Sequence, residues 1–236
     1  MTTDQTAPLS PTERSTPRRE TERTQQDRAM LYDVLETALI CHLAVVVDGV
    51  PKALPTVFGV DLDGPDDGGT LYVHGSVASR SLRSSPDAEI SVTMTVLDGL
   101  VLARSGFMHS LNYRSAVVIG RARLVEDAEE RAHALDLVVD HVVPGRAAEL
   151  RRPTRKELAA TAVIALPLHE ASVKMRAGDP EDEDFDVEAG VWAGVVPLRL
   201  LADQVVTSAD AEGPVPEHVT ARATGLAGRD GDHPAG

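Results

Sequence analysis

Only 3% of the 236 residues are aromatic, and there is one cysteine, Cys41. A lone cysteine excludes an intrachain disulfide and fits a reducing compartment. With so few rings, the core must be built mainly from Val, Leu, Ala and Ile. No stretch approaches the ~20 apolar residues of a membrane-crossing helix, and the longest apolar run, near 39–47, is interrupted by His42. No apolar segment follows a basic start at the N-terminus, so no signal peptide is expected. Positive charge is also scarce: the net charge is −14. An acidic surface repels phosphate backbones and anionic lipid, so nucleic acid and membrane surfaces are not expected partners. The expected location is cytoplasmic.

Several motifs are missing as well. The chain has no G-x-S-x-G, no Walker A loop and no G-x-G-x-x-G, which removes the usual arguments for a hydrolase, a nucleoside triphosphatase or a dinucleotide fold. The eight histidines show no H-E-x-x-H or paired Cys/His spacing, so no metal site is expected. Cys41 and His42 are adjacent on a strand and face opposite ways, which favours a buried, inert thiol over a metal pair. The loop from Asp61 to Asp66 departs from the EF-hand pattern at Pro65. The seven acids between 179 and 188 read as a solvated loop.

What is present is enough apolar residue, 42%, for one sizeable core. Residues 1–26 hold almost no large apolar side chains and are expected to lack order, as is a flexible tail over 203–236. The folded domain is then 27–202. Asp27 is a candidate N-cap for an amphipathic helix carrying Met30, Leu31, Val34, Leu35 and Ala38. Short β-rich segments follow. A strand over 40–47 meets the hairpin signal Asp48-Gly49, and its partner runs over 50–60, with Pro51 and Pro55 pointing to an edge. Further strands are expected at 70–73, 89–96, 100–105 after a turn at Asp98-Gly99, 113–125, 161–168 and 171–176. Short helices are expected at 79–84 and after the capping-box sequence Thr154-Arg155-Lys156-Glu157. A longer helix over 127–142 should bury Ala128, Ala132, Leu135, Val138, Val139 and Val142. Helix, many short strands, helix, strands is the order of a small antiparallel barrel.

Three segments carry polar groups suited to a ligand. In His74-Gly75-Ser76-Val77-Ala78-Ser79-Arg80 a strand ends and a short capped helix begins. Hydroxyls, free N–H groups and a guanidinium together make a phosphate cradle; an ordinary capped helix with a solvated Arg80 is the plainer alternative. In His109-Ser110-Leu111-Asn112-Tyr113-Arg114-Ser115, Tyr113 and Ser115 share one strand face and suit a ligand, while Arg114 on the other suits an ion pair. A polar strand entry with a satisfied tyrosine hydroxyl is equally compatible with the pattern. The only tryptophan, Trp192, reads first as a core or interface anchor, and alternatively as a ring stacked on a ligand.

The order of these motifs resembles a known family. Ile40-Cys41-His42-Leu43-Ala44, Leu54-Pro55-Thr56, Leu71-Tyr72-Val73-His74-Gly75-Ser76 with Ser79-Arg80, Asn112-Tyr113-Arg114-Ser115, Val143-Pro144-Gly145-Arg146, Glu170-Ala171-Ser172-Val173-Lys174 and Val191-Trp192-Ala193-Gly194 occur as in the flavin-nucleotide-binding branch of the pyridoxamine 5′-phosphate oxidase-like superfamily. That branch is related to the nitroimidazole-resistance proteins. The resemblance spans residues 28–200. It implies a mainly β fold with a few helices, an FMN-binding split β-barrel of about six antiparallel strands. It also implies a homodimer with FMN at the subunit interface. The phosphate would lie near His74, Gly75, Ser76, Ser79 and Arg80. The ring would lie along Pro55, Thr56, Tyr113, Arg114 and Ser115, with Trp192 reaching it from the other subunit. His74 matches an active-site histidine of the nitroimidazole-resistance relatives and is the candidate catalytic residue. The implied activity is an FMN-dependent oxidoreductase of a small oxidised organic molecule such as a nitro compound or quinone. A carrier or sensor without turnover is one alternative, and a deazaflavin could replace FMN. A haem-binding split-barrel protein with His42, His74 or His109 as axial ligand is another.

Overall fold

The computed structural model describes residues 8–227. The chain divides into two compact units, one of Met1–Thr95 with Ser115–Val173, the other of Val96–Arg114 with Lys174–Gly236. The backbone passes from one to the other within three strands, β6 (Glu89–Leu102), β7 (Ser110–Arg121) and β10 (Ala171–Arg176).

Among the described residues eleven strands form two mainly antiparallel sheets, neither closed on itself. The other strands are β1 (Thr24–Gln25), β2 (Cys41–Val47), β3 (Val50–Thr56), β4 (Phe58–Asp61), β5 (Thr70–Ser76), β8 (Arg123–Leu124), β9 (Thr161–Pro167) and β11 (Gly194–Pro197). One sheet runs β1-β10-β7-β6-β2-β3, with β11 also paired to β6; the second runs β4-β5-β9-β8. This is the split-barrel class of fold. The helices are α1 (Arg28–Thr37), α2 (Arg80–Arg83), α3 (Ala128–Val142), α4 (Arg155–Ala160), α5 (Asp184–Glu188) and α6 (Glu217–Ala227).

In the first unit, local signals and structure agree closely. The Asp27 carboxylate caps α1 by accepting from the Ala29 N–H. The Asp127 carboxylate caps α3, and Thr154 with Glu157 completes a reciprocal capping box on α4. Asp48, with φ 52°, and Gly49, with φ 76°, turn β2 into β3. Along β2 the odd positions Cys41, Leu43, Val45 and Val47 are buried and His42 and Val46 are exposed. The prolines of β3 sit at the sheet's edge, where a missing N–H costs no ladder bond.

Other expectations fail for identifiable reasons. The partner strand expected over 50–60 divides at Val57: β3 stays with β2, and β4 pairs with β5 in the second sheet. No turn occurs at Asp98-Gly99. Gly99 instead continues β6 in register with Pro197 of β11, a long-range pairing that local turn chemistry does not reveal. The buried face of α3 carries Ala134 and Val138, with His141 stacked on Phe58 at 4.2 Å; Ala128 and Val142 are exposed. Within 8–26 the structure also departs from the composition. Leu9 is only 2% exposed, its N–H bonds to Gln26 O at 3.1 Å, and the Ser10 N–H bonds to Ala171 O at 2.7 Å. Arg14 grips Glu170 through Nε at 2.9 Å and 3.1 Å and holds that carboxyl down at about 2. One buried leucine and the ion pairs of Arg14 with Glu170 and Glu89 anchor a segment whose average composition signals disorder. Residues 1–7 and 228–236, the outer parts of the two expected flexible ends, lie outside the described residues; 217–227, within the expected tail, form α6.

Helix α3 packs against β4, and the contact leaves no room for a side chain at Gly59. A Cβ there would lie 2.8 Å from Val138 N and 3.0 Å from Leu137 C. These are helix backbone atoms that cannot step aside. Gly59→Ala should therefore lower unfolding free energy by about 2 kcal/mol, read as a lower denaturant midpoint with an unchanged slope. An unchanged midpoint would show that α3 docks differently.

Candidate functional site

Strand β5 descends through the buried residues Leu71, Tyr72 and Val73 and then emerges. His74 and Gly75 are half-buried and Ser76 is exposed. The next residues turn tightly. The Ser76 hydroxyl oxygen accepts from the Ala78 N–H at 3.1 Å, and the Ser79 N–H bonds to Ser76 O at 2.9 Å. The Ser79 hydroxyl then caps α2 at Leu82 N. Both serine oxygens are occupied as acceptors, so both hydroxyl protons stay free to donate. The N–H groups of Arg80 and Ser81, in the first turn of α2, find no partner among the described residues. This is the donor arrangement expected of an anion cradle.

Arg80 is exposed and forms an ion pair with Asp48 at the β2–β3 turn. Its side chain thus reaches toward one end of the hairpin, while Pro55 and Thr56 lie at the other, opposite His42 and Cys41. The length of β3 between them spans roughly 20 Å. Pro55 is exposed and Thr56 half-buried. Phe58 pairs with Val73, so Val57, next to Thr56, comes to the level of His74. The Arg80 side chain is directed to the β2–β3 turn and not toward Pro55 and Thr56. Arg83, one turn on from Arg80 and exposed, is a second cation that the sequence reading passed over; its i,i+3 spacing from Arg80 was the available signal.

His74 is the most distinctive group here. Its Nδ1 is buried with no hydrogen-bond partner, and burial lowers its pKa. Cys41 is fully buried, and burial pushes its thiol up to about 12, which rules out a thiolate near neutrality. No group of three His, Cys, Asp or Glu side chains able to hold a metal occurs among the described residues. No helix among them is long and apolar enough to cross a membrane.

Ser115 is half-buried in the first unit. The remaining expected residues, Tyr113, Arg114 and Trp192, belong to the second unit. Tyr113 is half-buried on β7. Arg114 is committed to an ion pair with Asp98, with Nε and Nη2 at 3.1 Å and 2.9 Å from its two oxygens. Trp192 is 69% exposed, and its ring lies over Gly194, where a Cβ would come within 2.9 Å of it. The acidic run is only partly solvated: the Asp182 side chain is 2% exposed and bonds both the Arg104 N–H and its guanidinium at 2.8 Å. Arg176 bonds the Asn112 side chain at 2.6 Å. Neither partnership is visible in local sequence.

The lowered pKa of His74 has a consequence for stability. The unfolded chain takes up a proton near pH 6.5, before the folded chain does, so His74 contributes stability above that pH that is lost as pH falls below it. In His74→Gln, melting temperature should drop less between pH 7.5 and pH 5.5 than in the parent. An identical drop would mean that His74 is as easily protonated folded as unfolded.

Residues 27–175 match the family model described as pyridoxamine 5′-phosphate oxidase. No curated protein sequence matches the chain. Among solved structures, it is similar to the flavocytochrome Anf3 from Azotobacter vinelandii, with 33% identity over 91% of this chain and 98% of that one and a TM-score of 0.82. It is also similar to the FAD and haem binding protein from Mycobacterium smegmatis, with 40% identity over 85% and 97% and a TM-score of 0.76. A putative 5-nitroimidazole antibiotic resistance protein from Bacteroides thetaiotaomicron shares the fold at 21% identity over 64% and 85%, with a TM-score of 0.51.

Proposed function

The chain belongs to the pyridoxamine 5′-phosphate oxidase family, and we propose from that premise that it is a flavin-nucleotide-binding protein of the family, an FMN-dependent oxidoreductase of a small oxidised organic molecule. The observation that carries the reading is the likeness, over nearly the whole chain, to two structures described as a flavocytochrome and as an FAD and haem binding protein. The residues of this chain fit the group. Ser76 and Ser79 keep hydroxyl protons to donate, Arg80 and Ser81 keep free N–H groups, and Arg80 and Arg83 supply the local positive charge that an acidic protein needs to hold a phosphate. FMN is the cofactor the family resemblance implies. The same cradle serves the monophosphate of FMN or one phosphate of FAD.

A bound flavin supplies hydride and electron transfer, and the protein supplies position and solvent exclusion. We assign His74 the role of holding a proton for a substrate, a reading supported by its neutral form near neutrality and an Nδ1 with no competing partner. Ser115, Pro55 and Thr56, all of the first unit, are proposed to line the ring. Arg114, tied to Asp98, acts by fixing the strand that carries Tyr113 and Ser115. The second unit exposes Phe107, Phe185, Trp192, Leu200, Leu201 and Val206, apolar side chains suited to a partner surface. A second copy covering them gives the proposed homodimer, with Trp192 as the residue offered across the interface. A cytoplasmic setting rests on the single, buried thiol.

Arg80→Ala should weaken FMN binding about tenfold, the loss of one charge-assisted contact, in a titration of the apoprotein following quenching of flavin fluorescence. Arg18→Ala, at an exposed arginine paired with Glu13, should leave it unchanged. Equal affinity in the two variants would remove Arg80 from the phosphate site.

Haem is the second reading, favoured by His109. Its Nδ1 lies 2.8 Å from the Ser105 carbonyl, and a carbonyl only accepts, so Nδ1 carries the proton and Nε2 keeps a free lone pair. That is the orientation of a metal-ligating histidine. His74 lacks such a hydrogen bond at Nδ1, and none is recorded for the exposed His42. If haem binds, His109→Ala should abolish the intense haem absorbance of the reconstituted protein while His42→Ala keeps it. The reverse pattern would assign the ligand to His42.

A further inference from the structure

A cavity of about 260 Å³ lies in the first unit where the start of α3, the end of α4 and the first residues of β9 meet. Val77, Leu124, Leu158 and Val163 bring apolar side chains to its lining. Two charged residues line it, Arg131 and Glu126. Arg131 is half-buried, and its Nε is sealed from solvent with no hydrogen-bond partner. No ion pair or side-chain hydrogen bond engages its guanidinium among the described residues, although acidic groups are close in sequence. The Asp127 carboxylate is taken by the Glu129 and Glu130 N–H groups, and the Glu130 carboxylate by Tyr72 and Arg123. On α4, Glu157 is held by Arg151 and Thr154. A guanidinium does not lose its proton. Burying one of its donors without an acceptor is unfavourable, and a bound anion relieves that cost.

We infer that this cavity is a binding site for a small organic monocarboxylate, with the carboxylate on Arg131 and an apolar body against Val77, Leu158 and Val163. Size, wall chemistry and charge select this class. The volume falls below the ~300 Å³ at which pockets for drug-sized ligands begin. Seven of the ten lining residues have apolar side chains, which offer contacts to an organic body that inorganic phosphate cannot use. The single guanidinium of Arg131 matches one carboxylate, and a second anionic group would meet Glu126 with no cation to offset it. The site stands apart from the α2 cradle in chemistry and in residues, Val77 lining the cavity being the link between them in the chain.

The test uses the full chain with its flavin content recorded, titrated calorimetrically with benzoate, benzamide and phthalate. Benzoate should bind, benzamide and phthalate at least tenfold more weakly. Arg131→Gln should lose about tenfold in benzoate affinity, Glu126→Gln should gain, and Ala159→Phe at the cavity's rim should block binding. None of these changes should alter flavin content. The inference is overturned if benzoate gives no heat at millimolar concentration, if benzamide matches benzoate, or if Arg131→Gln binds benzoate as the parent does. Loss of flavin with retained benzoate binding would count against the flavin reading alone.

Discussion

The first unit depends on Arg123. Its guanidinium bridges two carboxylates, Asp66 at 2.9 Å and 2.7 Å and Glu130 at 3.0 Å through Nη1. Glu130 in turn accepts from the hydroxyl of the fully buried Tyr72 at 2.9 Å, and Asp66 accepts from Thr70 at 2.8 Å. One side chain of β8 thus fastens the loop before β5, β5 itself and the first turn of α3. Two carboxylates facing one cation leave the group with net negative charge, so removing the arginine strands two acids in a poorly solvated place. Breaking such a network by one partner is strongly destabilising, whereas replacing it whole with apolar residues need not be. With α3 fixed at its start by Arg123 and along its length by the close approach at Gly59, β5 is held in place. His74 and the α2 cradle inherit their positions from β5.

The same scaffold explains why the ligand-facing groups are sparse. The chain is acidic, yet most of its arginines are already answered by a carboxylate: Arg14 by Glu170, Arg104 by Asp182, Arg114 by Asp98, Arg123 by Asp66 and Glu130. Arg80 keeps only an exposed and solvent-screened pair, and neither Arg83 nor Arg131 is among the ion-paired residues. Arg80 and Arg131 are therefore the cations for which an anion is proposed.

What could be read from the sequence was local. Asp27 and the Thr154–Glu157 box announced two helices, apolar spacing over 127–142 announced a third, and Asp48-Gly49 announced the hairpin. His74 and the serines around α2 stood out because a strand end, a glycine and a cap fall within seven residues. What could not be read was long-range. The Arg114–Asp98 and Arg104–Asp182 pairs, the pairing of Gly99 with Pro197 and the anchoring of Leu9 all join residues that no periodicity relates. Arg131 gave no signal either, since a guanidinium on an amphipathic helix looks solvated until the neighbouring strands and α4 are placed around it.

The most direct test is the chromophore of the untagged, purified protein. Its visible spectrum should show the two bands of an oxidised flavin. Heat release and mass analysis should yield FMN or FAD, with a haem band in addition if His109 holds an iron. A colourless protein that takes up neither flavin nucleotide when reconstituted would contradict the flavin reading and leave only the fold.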